Sequence, residues 1–395
     1  MARPNRSAKI AGPPADPSVL VLLGIFFCSG LSMGYFSPLL SALMNDGGDS
    51  ELAVGAVSAV FYACAAAGAL WAGGRRLSIP RSLAFGLATA GLLGAVAPFA
   101  PGVIGLAVAR AGCGLAVGMY ATVAQAALLA RTTSRNRAFV TGVQALAFAA
   151  GLASGPFVAT RIYEHSPVAA FVTGGAILML AGLAVLVWMQ PEWRGGELVA
   201  QATAPGAQSG RLPLTAAFVY GFAESVLLSV YPLSLLERNL TIRDVGLSCS
   251  AFVFGGVLSV LPVSIAADRL GRARVLLACA GCGLAALVGL SVVHGSGAVI
   301  ALSFAVGASL GPMFAIGLAL VRDQFSETHL ARGTARFMTT FNIGCIAGPV
   351  ISSIAMTRLG SATVFVPTLV LLALLVVQGS MSSQRSPRGS HVVHA

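Results

Sequence analysis

The sequence predicts an all-α integral membrane protein whose twelve transmembrane helices form two pseudo-symmetric halves of six. Of its 395 residues, 56% are hydrophobic and only 9% are charged, and the mean hydropathy is +0.86. Soluble proteins carry about 25% charged residues, so one soluble core could not bury this much apolar surface. The apolar residues fall into twelve runs, each close to the ~20 residues that a helix needs to cross a bilayer. Lipid is therefore the expected solvent for most of the chain.

Short polar or basic breaks separate the twelve apolar runs. The predicted spans are 18–44, 51–72, 82–100, 102–128, 138–160, 168–190, 214–236, 245–266, 273–293, 298–320, 334–356 and 361–379. The longest internal break is rich in Gly, Ala and Gln without apolar periodicity, which predicts a flexible linker. The predicted organisation is a cytoplasmic N-tail at 1–17, a first half at 18–190, a cytoplasmic linker at 191–213, a second half at 214–380 and a cytoplasmic C-tail at 381–395.

Basic residues predict the orientation of the chain. Twelve spans place both termini on the same side of the membrane. The tails and the even-numbered breaks hold 19 Lys and Arg residues, whereas the opposite breaks hold 4. Because cytoplasmic loops carry the excess of basic residues, both termini are expected in the cytoplasm, with the protein in a bacterial cytoplasmic (inner) membrane. The net charge of +11 follows from this distribution and does not indicate a nucleic-acid-binding face.

The two halves of the chain repeat at an offset of 193 residues. The landmarks that align are Gly151, Gly155 and Pro156 with Gly344, Gly348 and Pro349, Gly114 and Gly118 with Gly307 and Gly311, and Arg81 with Arg274. The chain holds 47 glycines, so a single match is weak and only the ordered set carries the inference. Two six-span halves from one ancestral unit predict alternating access around a cavity at the membrane midplane.

Two charged residues interrupt the spans. Arg110 lies in the fourth span, where an arginine costs at least ~2.5–3.5 kcal/mol, so either a function offsets that cost or the side chain snorkels to the interface. Glu224 lies near the centre of the seventh span. A lone carboxyl group there could take up and release a proton, and the alternative is a structural carboxyl bonded to a neighbouring helix.

The break between the eighth and ninth spans carries a motif that resembles a known family. It reads Asp268-Arg269-Leu270-Gly271-Arg272-Ala273-Arg274, in which glycine permits a tight turn and the acid can pair with the arginines. It is similar to the D-R-x-G-R-R/K loop signature of the major facilitator superfamily, which implies a charge lock at a cytoplasmic gate. The corresponding break after the second span keeps Arg75 and Arg76 but has no acid and no matching glycine. The alternative is a plain basic loop.

The fifth span carries the most specific motif of the chain. Gly142, Gly151, Gly155 and Pro156 follow the spacing G-x8-G-x3-G-P, which resembles the antiporter motif of the same superfamily, although its trailing Gly-Gly is Ala159-Thr160 here. Glycines on one stripe allow close helix packing, and proline bends the helix. In the family this motif is typical of proton-driven exporters. The alternative is generic packing of small residues.

The resemblance implies the major facilitator fold, with spans one, four, seven and ten around the cavity. Arg110 followed by Gly114 looks like the family's R-x-x-x-G element, which is linked with proton transfer, and by analogy Glu224 could face Arg110 across the cavity. These two residues are the predicted proton-coupling groups. The predicted cavity contacts are Tyr35, Tyr120, Tyr220, Tyr231 and Gln125.

The function expected from these features is proton-coupled export of a small organic molecule, such as a drug-like compound or a siderophore, by a monomeric secondary transporter. A proton-coupled importer, or a non-transporting receptor or scaffold with the same fold, remains an alternative. No phosphate loop, G-x-S-x-G or H-E-x-x-H pattern is present, so an enzyme is not expected. The seven cysteines lie in apolar stretches and indicate packing, so neither a metal site nor a cofactor is expected.

Overall fold

The computed structural model describes residues 17–73, 77–132, 137–189, 211–324 and 330–384, and these ranges are almost entirely α-helical. The helices are α1 Pro17–Asp46, α2 Glu51–Gly73, α3 Ile79–Ala95, α4 Gly102–Ala130, α5 Arg137–Tyr163, α6 Pro167–Trp188, α7 Arg211–Ser229, α8 Tyr231–Glu237, α9 Ile242–Leu270, α10 Arg272–Val292, α11 Ser296–Gln324, α12 Leu330–Leu359 and α13 Val366–Gln384. The predicted all-α fold class is confirmed.

Most of these helices are built to cross a membrane. Among the described residues, 11 helices are long and apolar enough to span, and α3 is a shorter apolar helix of 17 residues. Large apolar side chains also point outward, with Leu70 77%, Ile104 80% and Leu261 70% exposed. An apolar surface of this kind requires a lipid environment.

The seventh predicted span, 214–236, is interrupted. α7 ends at Ser229, and the short helix α8 begins at Tyr231. Pro232 lies in the first turn of α8, where it has no backbone N–H to donate to the preceding turn. The ladder of helix hydrogen bonds is therefore broken there, and residues before and after the break do not share one continuous helix face.

Two other predicted spans differ at one end. The third span was expected at 82–100, but α3 ends at Ala95 and a short 3-10 turn follows at Ala97–Phe99. The twelfth was expected from 361, but α13 begins at Val366, after Gly360 turns the chain with a φ of 93°. In the first case Pro98 ends the regular helix within the apolar run. In the second case the positive φ of Gly360 delays the start of the helix.

Helix packing repeats at the offset seen in the sequence. α1 packs against α5 in the first half, and α7 packs against α12 in the second. Gly151 of α5 lies against the backbone of Phe27, and its counterpart Gly344 of α12 lies against the backbone of Phe218. In the same way, α2 packs against α4, and α9 packs against α11. The glycines that align in sequence therefore make equivalent helix contacts, as a duplicated unit requires.

The two halves meet at the end of the bundle away from the termini. There the Ser41 hydroxyl of α1 donates a hydrogen bond to the Ser229 carbonyl of α7. The Thr357 hydroxyl of α12 donates to the Glu51 carboxylate of α2 over 3.2 Å. Gly246 of α9 also packs against Pro156 and Thr160 of α5. The structure is thus closed on the side opposite the termini. The domain limits and the cytoplasmic placement of the termini stay predictions.

Candidate functional site

Glu224 is an acidic residue in the interior of a membrane-spanning helix, α7. It follows Arg211, the first residue of α7, by 13 positions, which is about 20 Å at a rise of 1.5 Å per residue. The other acidic residues that the structure describes lie at helix ends or in the connections between helices. Ala223 and Ser225 beside it are buried, whereas Glu224 is partly exposed. Its side chain is therefore turned towards a cavity.

Two cavities meet at the Glu224 side chain. The first, of about 230 Å³ and called the α2-side cavity, lies between α1, α2 and α4 of the first half and α7 and α12 of the second. Its lining includes Glu224, Met33, Phe61, Tyr62, Phe341, Asn342 and Cys345. The second, of about 170 Å³ and called the α9-side cavity, lies between α5 and helices α7, α9 and α11. Its lining includes Glu224, Tyr220, Phe148, Leu152, Phe252 and Val257. Glu224 therefore stands between the two halves, with space on both sides.

An aromatic cluster supports the site from the second half. Tyr220, one turn before Glu224, stacks on Phe341 with ring centroids 5.9 Å apart. Phe314 packs against both rings, with centroid distances of 5.9 Å to Tyr220 and 5.3 Å to Phe341. Tyr220 is the predicted cavity residue that the structure places beside Glu224. Packing on two rings holds Tyr220 in place at the cavity wall.

Arg110 lies behind the cavity wall. Its side chain is 9% exposed, and its guanidinium carbon lies 4.1 Å from the centre of the Phe61 ring. A desolvated cation–π contact of this kind is worth about 2 kcal/mol, which offsets part of the cost of burying the charge. Neither cavity is lined by Arg110, and no ion pair joins it to Glu224 within the described ranges. Tyr62, next to Phe61 on α2, lines the α2-side cavity together with Glu224.

The other predicted cavity residues lie away from both cavities. Tyr35, Tyr120 and Tyr231 are all 0% exposed. The Tyr35 hydroxyl donates to the Ala170 carbonyl over 2.9 Å, and the Tyr231 hydroxyl shares a 2.8 Å hydrogen bond with Ser303. No partner is found for the Tyr120 hydroxyl among the described residues. These tyrosines pack inside one half or the other. Their prediction as cavity contacts rested on polarity, which does not say which side of a helix faces the cavity.

Gln125 forms an amide pair with Gln144. The Gln125 amide nitrogen donates to the Gln144 amide oxygen over 3.3 Å, and the Gln144 nitrogen donates back to the Gln125 oxygen. The pair joins α4 to α5 in partly buried surroundings. Hydrogen bonds between transmembrane helices are worth about 0.6 kcal/mol on average. The geometry therefore favours helix packing as the role of Gln125.

A double-mutant cycle should reveal this pairing. Gln125→Leu or Gln144→Leu alone leaves one amide without its partner, so each is expected to lower the melting temperature by a few degrees. The double variant is expected to lie closer to the wild type than the two single effects added together. Thermal unfolding of the detergent-purified protein gives the melting temperatures of the wild type, the two single variants and the double variant. Strictly additive losses would contradict the pairing.

The antiporter-type motif forms a three-helix contact. Gly151 and Gly155 of α5 lie against the backbone of α1, near Phe27 and Leu31 respectively. Pro156 follows, and its carbonyl accepts a 2.8 Å hydrogen bond from Thr160, next to Gly246 of α9. By contrast, an added Cβ at Gly142 would meet nothing within 4 Å. The C-terminal part of the motif thus lies where α5 touches both its own half and the other half.

The loop motif forms a charge cluster within the second half. Gly271 connects α9 to α10 with a φ of 97°, which non-glycine residues rarely adopt. Arg272 donates to Asp268 from Nε and Nη2 over 3.1 and 2.9 Å, and also to Asp323 of α11. Its Nη1 reaches the Ala319 carbonyl at 3.3 Å. The arginine ties α9, α10 and α11 together at the end of the bundle near the termini. Arg269 is exposed, and Arg75 and Arg76 lie outside the described residues.

Replacing Arg272 tests this cluster. Arg272→Ala is expected to lower the melting temperature of the purified protein by a few degrees, because exposed ion pairs are individually weak. Arg272→Lys should restore only part of the loss, since an ammonium group cannot match the arginine fork on several acceptors. Arg274→Ala is the matched control, and an equal loss in that variant would contradict a specific role for Arg272.

Several residues of the cavity wall were not singled out in the sequence as contacts. Phe61 and Phe341 are ordinary apolar residues and Cys345 carries a weakly polar thiol, and only the packing of the two halves brings them to Glu224. Asn342 and Tyr62 are polar residues within apolar runs of the sequence. No local sequence signal identifies Phe61, and the structure alone explains its position. Gly114 on α4 packs against the backbone of Phe61, which places that ring next to Arg110.

Comparisons with known sequences agree with this fold. The family model described as Major Facilitator Superfamily matches residues 22–209 and 214–392. The chain is 26% identical over 240 residues to the MFS-type transporter YfkF of Bacillus subtilis (strain 168), covering 59% of this chain and 61% of that protein. The chain thus spans about three-fifths of YfkF. It is 22% identical over 361 residues to the MFS-type transporter YcaD of Escherichia coli O9:H4 (strain HS), covering 89% and 92%.

Solved structures of transporters share the architecture. The crystal structure of the nucleoside transporter NupG superposes with a TM-score of 0.75 at 13% identity, covering 93% of this chain and 99% of that one. A bacterial homologue of the human lysosomal transporter Spinster, in an inward-facing and occupied conformation, gives a TM-score of 0.73 at 14% identity, covering 94% and 98%. At these identities the likeness shows the fold alone.

Proposed function

The chain belongs to the Major Facilitator Superfamily, and on that premise we propose that it is a proton-coupled secondary transporter that exports a small organic molecule by alternating access. Membership supports transport of a small molecule across a membrane. The proton, the direction of transport and the bacterial inner membrane with cytoplasmic termini are the proposed part. A monomer is also proposed.

The position of Glu224 carries the proposal. Its carboxyl group lies between the halves, on an apolar cavity wall within the seventh predicted span. A carboxylate there without a cation on the described cavity walls is costly, so the group needs a proton or another cation for each passage between the two sides. A carboxyl group placed where the halves separate can exchange that proton with either side in turn.

The energetics allow modest uphill export. A proton that moves inward down a membrane potential of 100 mV supplies ~2.3 kcal/mol, and a pH gradient adds to this. Since 1.4 kcal/mol corresponds to a factor of ten, such a supply supports roughly a fifty-fold solute gradient without any pH contribution. That estimate applies when one net charge moves inward in each cycle.

The helix contacts support alternating access. Opening the side opposite the termini requires the Ser41–Ser229 and Glu51–Thr357 hydrogen bonds to break, and it requires α5 to leave α9 near Gly246. Each half is held internally by glycine contacts that bring helix backbones together, so each can move as a unit. The antiporter-type motif lies at the point where α5 meets both α1 and α9. Its resemblance to a motif typical of proton-driven exporters is what supports export over import.

Everted membrane vesicles test the proposed function. Vesicles energised to an acidic interior should release protons from the lumen when a transported solute is added, and control vesicles without the protein should not. A panel of metabolites, siderophores and drug-like compounds provides the solutes. Solute uptake into the vesicles without any proton movement would contradict proton coupling, and solute movement out of the vesicles with protons would indicate an importer.

A further inference from the structure

The charge of the two cavities at Glu224 limits what they can bind, an argument that rests on the proposed function. Among the described residues that line them, Glu224 is the one charged side chain. The neutral polar groups are Tyr62, Thr122, Tyr220, Asn342 and Cys345, and the rest of the wall is apolar or aromatic. An anionic solute would meet a carboxylate without any lining cation to offset it. The wall therefore disfavours anions.

Arg110 does not change this balance. Phe61 covers its guanidinium at 4.1 Å, and the side chain is 9% exposed. Its Nε is buried without a hydrogen-bond partner in the described part of the chain. Tyr62 and Phe61, whose rings pack edge to face at 5.4 Å, separate it from the space beside Glu224. The positive charge thus remains behind aromatic rings and makes no direct contact with a solute in either cavity.

We infer that the solute is an organic monocation with an apolar or aromatic body, and that this cation and the proton occupy Glu224 in turn. The carboxylate supplies the counter-charge, and the rings of Phe61, Tyr62 and Tyr220 supply apolar contact and π faces that attract a positive group. Binding of the cation to a protonated Glu224 releases its proton. The single acid cannot hold both.

The charge balance follows from this mutual exclusion. One proton enters the cell on Glu224, and one monocation leaves on the same carboxylate, so the net charge moved per cycle is zero. Export is then driven by the pH gradient and is indifferent to the membrane potential. A neutral solute would instead leave one net charge moved inward per cycle.

The groups that face Glu224 do not supply a second proton site. Tyr220 on its own helix, Tyr62 on α2 and Cys345 on α12 are neutral groups on the cavity wall, and Arg110 on α4 lies behind Phe61. The α1 contribution is Met33, and α5, α9 and α11 contribute apolar atoms to the described lining. Among the described residues that line the two cavities, Glu224 is therefore the one acid available to couple the proton to the solute.

A matched set of probes tests the substrate class. The full chain is reconstituted in proteoliposomes that contain a pH-sensitive dye, with potassium and valinomycin to set the membrane potential. The probes are benzyltrimethylammonium, its uncharged isostere neopentylbenzene, the anion phenylmethanesulfonate, and ethidium as a larger planar cation. The two cations are expected to drive proton movement, at a rate that changes less than twofold between zero potential and about 100 mV.

Each outcome decides the inference. Proton movement with the neutral or anionic probe, or none with either cation, overturns the monocation assignment. A cation-driven rate that rises several-fold with potential overturns the one-for-one exchange. Proton coupling of the transporter survives both of these results, because the wider solute panel in energised vesicles tests it separately. Glu224→Asp should keep the cation preference at reduced affinity, and Glu164→Gln, at an exposed site between α5 and α6, should behave as wild type.

Discussion

Glu224→Gln is expected to abolish solute-driven proton movement, with a loss of at least about a hundredfold in vesicles. Glutamine keeps the size of the side chain but can neither release a proton nor carry a charge. The variant should still fold, because removing a partly buried charge from an apolar wall does not destabilise the packing. Proton release from energised vesicles is the measurement, with the amount of protein in the membrane determined for each preparation.

The controls for this variant separate coupling from folding. Glu164→Gln makes the same chemical change at an exposed position outside the cavity and should retain wild-type proton release. Solute counterflow, which exchanges labelled for unlabelled solute without net proton movement, reports whether the Glu224→Gln protein still changes conformation. Undiminished proton exchange in Glu224→Gln would remove this residue from the coupling mechanism and leave the proposed function without its main support.

A residue of this site could be predicted from the sequence when it interrupts the apolar pattern of its membrane-spanning helix. Glu224 does, since a carboxyl group in an apolar run is conspicuous without a structure, and its position near the centre of the predicted span 214–236 follows from counting residues. Tyr220 was also a predicted cavity contact, and it precedes Glu224 by four residues, so an unbroken helix places both on one face. Tyr231 does not share that face, because Pro232 breaks the helix and directs Tyr231 to Ser303 inside the second half.

The surroundings of Arg110 could not be predicted, because they depend on how two helices pack. Its cost in a membrane was evident from the sequence, and so was the small-residue surface of α4 that follows it. Its partner was not, because Phe61 reaches it only through the packing of α2 against α4. The expected pairing of Arg110 with Glu224 treated both charges as facing one open space. In the structure, aromatic side chains of α2 lie between them, and no local sequence rule specifies that layer.

The fold itself was predictable for a physical reason. Lipid forces each backbone polar group to be satisfied within its own helix, so hydropathy alone locates most spans. Helix ends within apolar runs were less predictable, as at Ala95 and Val366, where proline and a positive-φ glycine decide the boundary. The repeat at 193 residues then fixed which helices correspond, and the glycine contacts of α5 and α12 agree with it.

Gly151→Val is expected to destabilise the protein by about 3 kcal/mol or more and to remove transport with it. A side chain added at Gly151 would overlap the Phe27 carbonyl oxygen and crowd the Leu31 nitrogen, which are backbone atoms that cannot move aside as a rotamer would. Overpacking of a tight core costs about 1–3 kcal/mol even where side chains can adjust. Thermal unfolding in detergent and the yield of folded protein in the membrane measure the effect.

Gly142→Val provides the matched control on the same helix. It is the same substitution within the same motif, but an added Cβ there would meet nothing within 4 Å, so stability should stay within about 0.5 kcal/mol of wild type. Gly344→Val, at the repeat-related position of α12, should be as damaging as Gly151→Val because it overlaps the Phe218 backbone. If valine is tolerated equally at Gly142 and Gly151, α1 and α5 pack less closely than they do in this structure. A fully folded but inactive Gly142→Val protein would instead assign that glycine a role in motion, since packing gives it none.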